Sequence, residues 1–374
     1  MQSPRALAEA NEHETTSAIL EAKERELRGP EDDSPPPLDL PQVDEAVAVA
    51  LGIDAKCTAV EPHQAAGFFV PEKITLKTGD NAKLYYMKSG KTREMFESEY
   101  IALSLIHKAI PTLAPKPLAW GKFASSDTWY LVTEWIDVDA DPSTAGPGGT
   151  GMTLAQKVAK LHTTVAPPPP GQKAPMFGFP IQTYCGSTPQ KNDWCISWAH
   201  FFAENRLRHI CRIIEQNHGT DADLESLMDR LIKVVVPRLL GNGRLGGKQG
   251  IKPVLIHGDL WEGNKGKGRF DDAEGIEPVT FDPSSCYAHS EFELGLMRMF
   301  GGFSAGFFNE YHHIVPKTEP KKEYGDRMTL YELYHYLNHY AIYGGGYRED
   351  VIVSIKGLLK KYEDEENILL GVDG

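Results

Sequence analysis

The sequence predicts an α+β protein of two lobes, a small antiparallel-sheet lobe followed by a larger helical one. Three observations predict it. Short β-rich runs crowd between Lys56 and Ile136 around a single amphipathic helix; beyond Thr153 apolar residues recur mainly at helical spacing; and a strand-hairpin pattern interrupts those helices near Lys265 to Asp282. A chain of 374 residues with 41% hydrophobic and 10% aromatic content can bury one large core or two modest ones. The formal net charge of −13 and a pI near 5.5 leave no cationic field for nucleic acid or an anionic membrane surface, so neither is expected as a partner. No stretch is long and apolar enough for a membrane span, and Glu9, Glu12 and Glu14 spoil a secretory or mitochondrial leader. A cytoplasmic location is expected. The five cysteines, Cys57, Cys185, Cys195, Cys211 and Cys286, are scattered without a C-x-x-C pair and read as reduced, packed thiols.

Residues 1–42 read as a tail and linker, charged at first and then acidic and proline-rich from Gly29 to Pro41. The first lobe, 43–137, opens with Asp44 as the cap of a short helix carrying Val47, Val49 and Leu51. Cys57 to Pro62, Phe68 to Thr78 and Lys83 to Ser89 follow as three strands, the last two joined at a Gly79-Asp80 turn. Thr92 is placed to cap a helix running to about Lys108, which Pro111, Pro115 and Pro117 end. Trp129 to Ile136 is the next strand, so the lobe reads β-β-β-α-β, and the Gly/Pro-rich Asp137 to Gly151 leads into the second lobe, 138–374. There, helices are predicted over Leu154–His162, Trp194–Gln216, Asp221–Leu240, Glu291–Phe300 and Met328–Tyr343, with strands at Val254–His257, Lys265–Arg269 and Val279–Asp282. That layout matches no sandwich, barrel or doubly wound sheet. It matches a bilobal, protein-kinase-like fold.

The sharpest chemical signal is His257-Gly258-Asp259-Leu260-Trp261-Glu262-Gly263-Asn264, directly after an apolar strand. An Asp five positions before an Asn is the spacing of kinase catalytic loops, in which the carboxylate faces the attacking alcohol and the amide oxygen reaches a magnesium on the phosphates. Asp259 is therefore the candidate base and Asn264 a candidate metal ligand. Asp282, closing the second hairpin strand, is placed as the main metal ligand. A nucleotide also needs a cation on its phosphates, and Lys88 on the third strand is the candidate. Its partner is a choice between Glu97 and Glu99, and helical spacing decides it. Glu99 shares the apolar face of Phe96, Ala102, Leu103 and Ile106, whereas Glu97 lies with Arg93, Glu94 and Ser104. An acid on a buried face needs a cation. Gly90-Lys91-Thr92 is no Walker loop, since position 85 is Tyr. The phosphate-covering turn is instead expected at His63 to Gly67, where Gly67 is its single glycine, and Glu134, Trp135 and Ile136 at the lobe junction are expected to offer backbone groups to adenine. ATP and Mg2+ are thus the implied cosubstrate and metal. Trp261, two residues from Asp259, is placed beside the acceptor alcohol as a substrate contact.

These residues resemble the fructosamine and ribulosamine 3-kinase family, relatives of aminoglycoside phosphotransferases and choline kinases. Met95-Phe96-x-x-Glu99, Phe177-Gly178-Phe179, Pro189 to Trp194, Trp198-x-x-Phe201-Phe202, the loop from His257 to Asn264, Asp282 to Leu294, Phe300 to Phe303 and Leu337 to Tyr340 resemble the family's segments in order, over roughly Cys57 to Leu359. Ser284 departs from the family's usual Ala, Ala288 from its usual Gly, and the turn near Gly67 is poor in glycine. The resemblance implies ATP-dependent phosphorylation of the sugar 3-hydroxyl of ketoamines on protein lysines or small amines, after which the product falls apart and frees the amine. It also implies that His339 lines the acceptor pocket. Two other readings use the same residues. A kinase of this fold acting on an aminoglycoside, choline or homoserine calls for an acidic acceptor pocket, and a nucleotide-binding scaffold without catalysis has no need of Lys88, Glu99, Asp259, Asn264 and Asp282 together.

Overall fold

The computed structural model describes residues 40–63, 69–78, 81–140, 149–270 and 275–369. The tail, the turn holding Gly67, the Gly79-Asp80 turn and most of the junction after Asp137 fall outside these residues. Asp44 caps α1 (Glu45–Leu51) by accepting the Ala46 N–H at 2.9 Å, as its position before an apolar helix requires. Strands β1 (Thr58–Pro62), β2 (Val70–Thr78) and β3 (Asn81–Gly90) precede α2 (Arg93–Ala109), with β4 (Pro117–Lys122) and β5 (Trp129–Glu134) after it. The sheet is antiparallel in the order β1-β2-β3-β5-β4. The lobe is therefore β-β-β-α-β-β, one strand richer than expected. The proline-flanked 117–122 segment pairs at the sheet edge, where a missing N–H is tolerated. Thr92 occupies the cap position of α2 but makes no side-chain cap bond.

Alternation along β3 sorts its side chains between two faces. Tyr85 and Met87 join Val60, Ile74, Tyr130 and Val132 under α1, while Lys88 points to the opposite face, where α2 packs through Phe96, Ala102, Leu103 and Ile106. The chain leaves the lobe at Trp135, and β6 (Ile136–Asp137) pairs with Phe270 and Arg269 of the second lobe's hairpin.

The second lobe is helical around that hairpin. Thr153 and Gln156 form a capping box at the start of α3 (Leu154–Leu161). A small hairpin, β7 (Thr183–Cys185) and β8 (Thr188–Gln190), precedes α4 (Trp198–His218), which runs through a π-type stretch at Phe202–Leu207. Next comes α5 (Ala222–Leu240), capped by Asp221 and with its own π-type stretch at Leu231–Val235. Then follow β9 (Val254–Ile256), β10 (Lys265–Phe270), β11 (Ile276–Thr280), β12 (Cys286–Ala288), α6 (Ser290–Phe300), α7 (Ala305–Ile314), α8 (Tyr324–Tyr343) and α9 (Arg348–Leu369). The sequence pattern does not predict β7, β8, β12, α7 or α9. Residues 324–343 carry buried side chains all round, so α8 is the lobe's central helix and has almost no amphipathic signature. Its Arg327 forms a buried ion pair with Glu291 at 2.7 Å. No helix among the described residues is long and apolar enough to cross a membrane.

Candidate active site

Pairing of β9 with β12, Ile256 opposite Cys286, sets the loop after β9 beside the segment after β11. Gly258 lies in that contact with φ +88°, and a Cβ there would stand 2.0 Å from the Ser284 carbonyl oxygen. Only glycine fits both the backbone angle and the approach. One turn of 3₁₀ helix over Glu262–Asn264 then folds Asn264 back on the loop. Its Nδ2 donates to the Asp259 carbonyl at 2.8 Å and to Asp259 Oδ2 at 3.2 Å. The five-residue spacing thus closes on itself in space. Burial pushes the Asp259 carboxyl up to about 7, with neighbouring carboxylates Asp282 and Glu293 adding to the rise and hydrogen bonds from Cys185 and Asn264 opposing it. A carboxyl near neutrality suits proton transfer.

Asp282 sits two residues past the end of β11, in the left-handed region at φ 52°, the one non-glycine residue there among the described residues. Such a conformation costs about 1–3 kcal/mol and collects at functional positions. The strand was expected to end on this carboxylate, but it ends at Thr280, and the left-handed turn aims Asp282 back toward the first lobe. There Lys88 Nζ meets Asp282 Oδ1 at 2.9 Å and Glu99 Oε2 at 2.5 Å. Lys88 is buried at 2% exposure, whereas the Asp282 side chain is about half exposed, with 53% of its surface open. Desolvation works against the Lys88 ammonium, but Asp282 and Glu99 outweigh it and keep the amine charged. Burial raises Glu99 to about 7 against the pull of Lys88. Desolvation likewise opposes charge on Asp282, and the Lys88 ammonium more than offsets it, holding that carboxyl below its usual range. The alternative partner, Glu97, pairs with Arg93 at 3.2 Å near the surface, as helical spacing requires. Phe69 closes over the cluster, 4.6 Å from Lys88 Nζ and 5.4 Å from the Phe96 ring.

Two hard oxygen groups converge beside this cluster. With its Nδ2 committed to Asp259, Asn264 has its amide oxygen left as a ligand, and Asp282 supplies a half-exposed carboxylate. The Phe281 N–H donates to the Asn264 carbonyl at 3.0 Å, which keeps the two residues together. Two oxygen ligands with phosphate oxygens completing the shell is a donor set that fits magnesium.

At the lobe junction, Glu134 is tied to Lys116. Its N–H donates to the Lys116 carbonyl at 3.0 Å, and its Oε1 accepts the Lys116 N–H at 2.5 Å. The Trp135 ring lies between His63, at 5.3 Å, and Lys73 Nζ, at 5.1 Å. Ile136 is buried against Phe270 and Val279. Gly67 lies outside the described residues.

Trp261 and His339, far apart in sequence, are joined through Phe300. The ring centroids are 5.5 Å apart from Trp261 to Phe300 and 5.0 Å from Phe300 to His339. Tyr347 and Tyr343 extend this wall, 5.1 Å and 5.8 Å from His339. Burial lowers the His339 pKa, so the wall is uncharged near neutral pH.

Several supporting groups lie in no local motif. Glu293 of α6 accepts the His257 N–H at 2.5 Å and the Gly258 N–H at 3.0 and 3.1 Å, fixing the catalytic loop from below. Cys185 and Phe69 also touch the key groups. Glu293 falls inside the Asp282 to Leu294 segment read from the sequence, but nothing in that segment names the N–H groups it accepts.

A two-lobed fold holding this constellation is that of a kinase, a phosphotransferase acting on a hydroxyl. The family model described as fructosamine kinase matches residues 47–361. Mouse ketosamine-3-kinase is 33% identical over 296 residues, covering 75% of this chain and 89% of the mouse protein. The chloroplastic protein-ribulosamine 3-kinase of Arabidopsis thaliana is 31% identical over 282 residues, 75% of this chain and 77% of the plant protein. The chain belongs to the fructosamine kinase family. A solved structure from Thermobifida fusca, assigned as a fructosamine-3-kinase, superposes with a TM-score of 0.64 at 21% identity, covering 85% of this chain and 98% of its own, and establishes the shared fold.

Proposed function

We propose that this protein transfers the γ-phosphoryl group of ATP to the sugar 3-hydroxyl of a ketoamine, a ribulosamine or fructosamine carried on a protein lysine or a small amine. The phosphorylated sugar then leaves and the amine is freed. The observation that carries the reading is the meeting of the two lobes' ionic groups. Lys88 of the first lobe, paired with Glu99, also pairs with Asp282 of the second, while Asp259 and Asn264 close the other side.

In this reading Asp259 orients the acceptor hydroxyl and takes its proton as the phosphoryl group arrives in line. Lys88, held by Glu99, presents its ammonium to the nucleotide phosphates, and Glu134, Trp135 and Ile136 border the adenine. Gly67 is assigned to covering the phosphates on its sequence position alone. Asn264 and Asp282 would hold Mg2+, whose contribution there is to neutralise charge on the phosphate oxygens. Trp261 stacks on the sugar, with His339 behind it across Phe300. An aromatic, uncharged wall supports a sugar acceptor over a polycationic one such as an aminoglycoside. The five free thiols support a reducing, cytoplasmic setting.

The test is phosphate transfer from magnesium-ATP to ribulosamine, fructosamine, aminoglycoside and choline acceptors, with wild type beside Asp259→Asn. Ketoamine-dependent turnover that disappears in the variant while ATP binding persists is expected. Turnover on aminoglycoside or choline alone would overturn the acceptor assignment.

A further inference from the structure

We propose that the β7–β8 hairpin is a positioning device for the catalytic carboxylate, acting through the thiol of Cys185. The inference rests on the reading of Asp259 as the base. Cys185 Sγ lies 3.6 Å from Asp259 Oδ1, within reach for a thiol donor, while Asn264 Nδ2 is 3.2 Å from Oδ2. Each oxygen of the carboxylate therefore has its own donor, and rotation about its terminal bond is restrained from both sides. The thiol is 4% exposed, and burial pushes its pKa well above the usual range, so it stays protonated and donates.

The hairpin itself is pinned to α8. Asn338 Nδ2 donates to both the carbonyl oxygen and Sγ of Cys185, at 3.3 Å each. On the neighbouring strand, Gln190 Nε2 donates to the Tyr334 hydroxyl at 2.8 Å, and Gln190 Oε1 accepts from Thr183 at 3.1 Å and from Ser284 at 2.8 Å. Ser284 is two residues past Asp282. One strand of the hairpin thus reaches the catalytic loop and the other reaches the segment carrying Asp282. Both are referenced to the helix that also presents His339. A base held in one orientation raises kcat without altering nucleotide affinity, because the first lobe's Lys88–Glu99 pair is untouched.

The experiment compares Cys185→Ala, Cys185→Val and Cys185→Ser in the full chain, with magnesium-ATP and a ketoamine, beside wild type and Asp259→Asn. Thermal midpoints are recorded for each. The backbone carbonyl of residue 185 still accepts from Asn338 in every variant, so the tether to α8 is kept. Ala leaves a cavity and Val, one methyl larger than Cys and strand-favouring, overfills it, so a loss common to both reports the missing donor rather than either packing change. Loss of one charge-assisted hydrogen bond predicts a kcat about tenfold lower in Ala and Val, with the KM for ATP within about twofold of wild type. Ser, which restores a donor, should recover most of the lost kcat. Wild-type kcat in both Ala and Val overturns the proposal. So does a Ser variant as impaired as Val, or losses that simply follow the thermal midpoints. If Asp259→Asn retains turnover, the base assignment itself falls; if it is inactive while Ala and Val match wild type, only the hairpin's role falls.

Discussion

Replacing Glu293 by Gln tests whether the catalytic loop is held in place by a buried charge. The side chain is 2% exposed and accepts the N–H groups of His257 and Gly258, with His162 Nε2 a further 3.6 Å away. Desolvation opposes its ionisation, but the neighbouring His162 and His257 rings and the Gly258 N–H outweigh it and keep the carboxyl below its usual range. Gln keeps one acceptor oxygen and sets an NH2 group against donors that had faced an anion. Two hydrogen bonds to a charge are worth roughly 1.5–3 kcal/mol each, so losing one and weakening the other costs about 3 kcal/mol. For a compact unit spanning Pro41–Gly374, with an unfolding entropy of roughly 0.7 kcal/mol/K, that is a fall of about 4 °C in the thermal midpoint. The loop carries Asp259, and a displacement near 1 Å costs on the order of 100-fold in rate, so kcat should drop steeply. The KM for ATP should stay close to wild type, because Lys88 and Glu99 sit on the other lobe. Calorimetry and steady-state kinetics on the same preparation are the assay. A midpoint within about 2 °C of wild type, together with near-normal kcat, would refute the argument that this carboxylate sets the loop.

Lys88→Met should lower kcat/KM for ATP by on the order of 100-fold, measured by initial rates, since one preorganised cation is removed from the phosphates. Its thermal midpoint should move less than buried-pair loss ordinarily demands, because Glu99, already pushed up to about 7, can take a proton. Trp261→Ala should raise the ketoamine KM by about tenfold while leaving the KM for ATP alone, consistent with a stacking contribution of roughly 0.5–1.5 kcal/mol; equal changes in both constants would count against the stack. Acid should destabilise the fold through two buried imidazoles, His289 and His335, which burial depresses to about 4 and about 3. Their neutral forms are native, and the unfolded chain binds the protons first, below about 6.5. The share of stability due to these imidazoles is therefore flat above that pH and declines as pH falls through 6.5 toward 4, by up to about 3 kcal/mol for His289, while Glu99 and Asp259, raised to about 7, take up protons in the folded state and oppose it over the same range. Denaturant midpoints between pH 4.5 and 7.5 report the net slope, and His335→Leu should gain stability relative to wild type as pH falls through that window.

Much of the site is written in short stretches. The spacing from Asp259 to Asn264 closes into the hydrogen bonds seen in the loop because a five-residue turn after a buried strand has few other ways to fold. The choice of Glu99 over Glu97 follows from 3.6-residue periodicity, since one face of α2 must be apolar to cover the sheet and only an acid with a buried cation survives there. The helices that carry one apolar face are legible for the same reason. The edge strand β4, hidden among prolines, gives no alternating pattern, and α8, buried on every side, shows its length only in part.

The sequence by itself determined the candidates for the chemistry: a proposed base, two proposed metal ligands and a proposed phosphate cation, each named by spacing or periodicity over fewer than a dozen residues. Only the tertiary structure decided what stands behind them. Glu293 reaches back 36 residues to His257, Cys185 reaches 74 residues to Asp259, and Asn338 reaches 153 residues to Cys185. Trp261 meets His339 only because α6 ends with Phe300 between them. Local pattern records the faces of helices and strands, since propensity and burial act along the chain. A buried acceptor records that it needs a donor, but which donor is fixed by the packing of helices and strands distant in sequence.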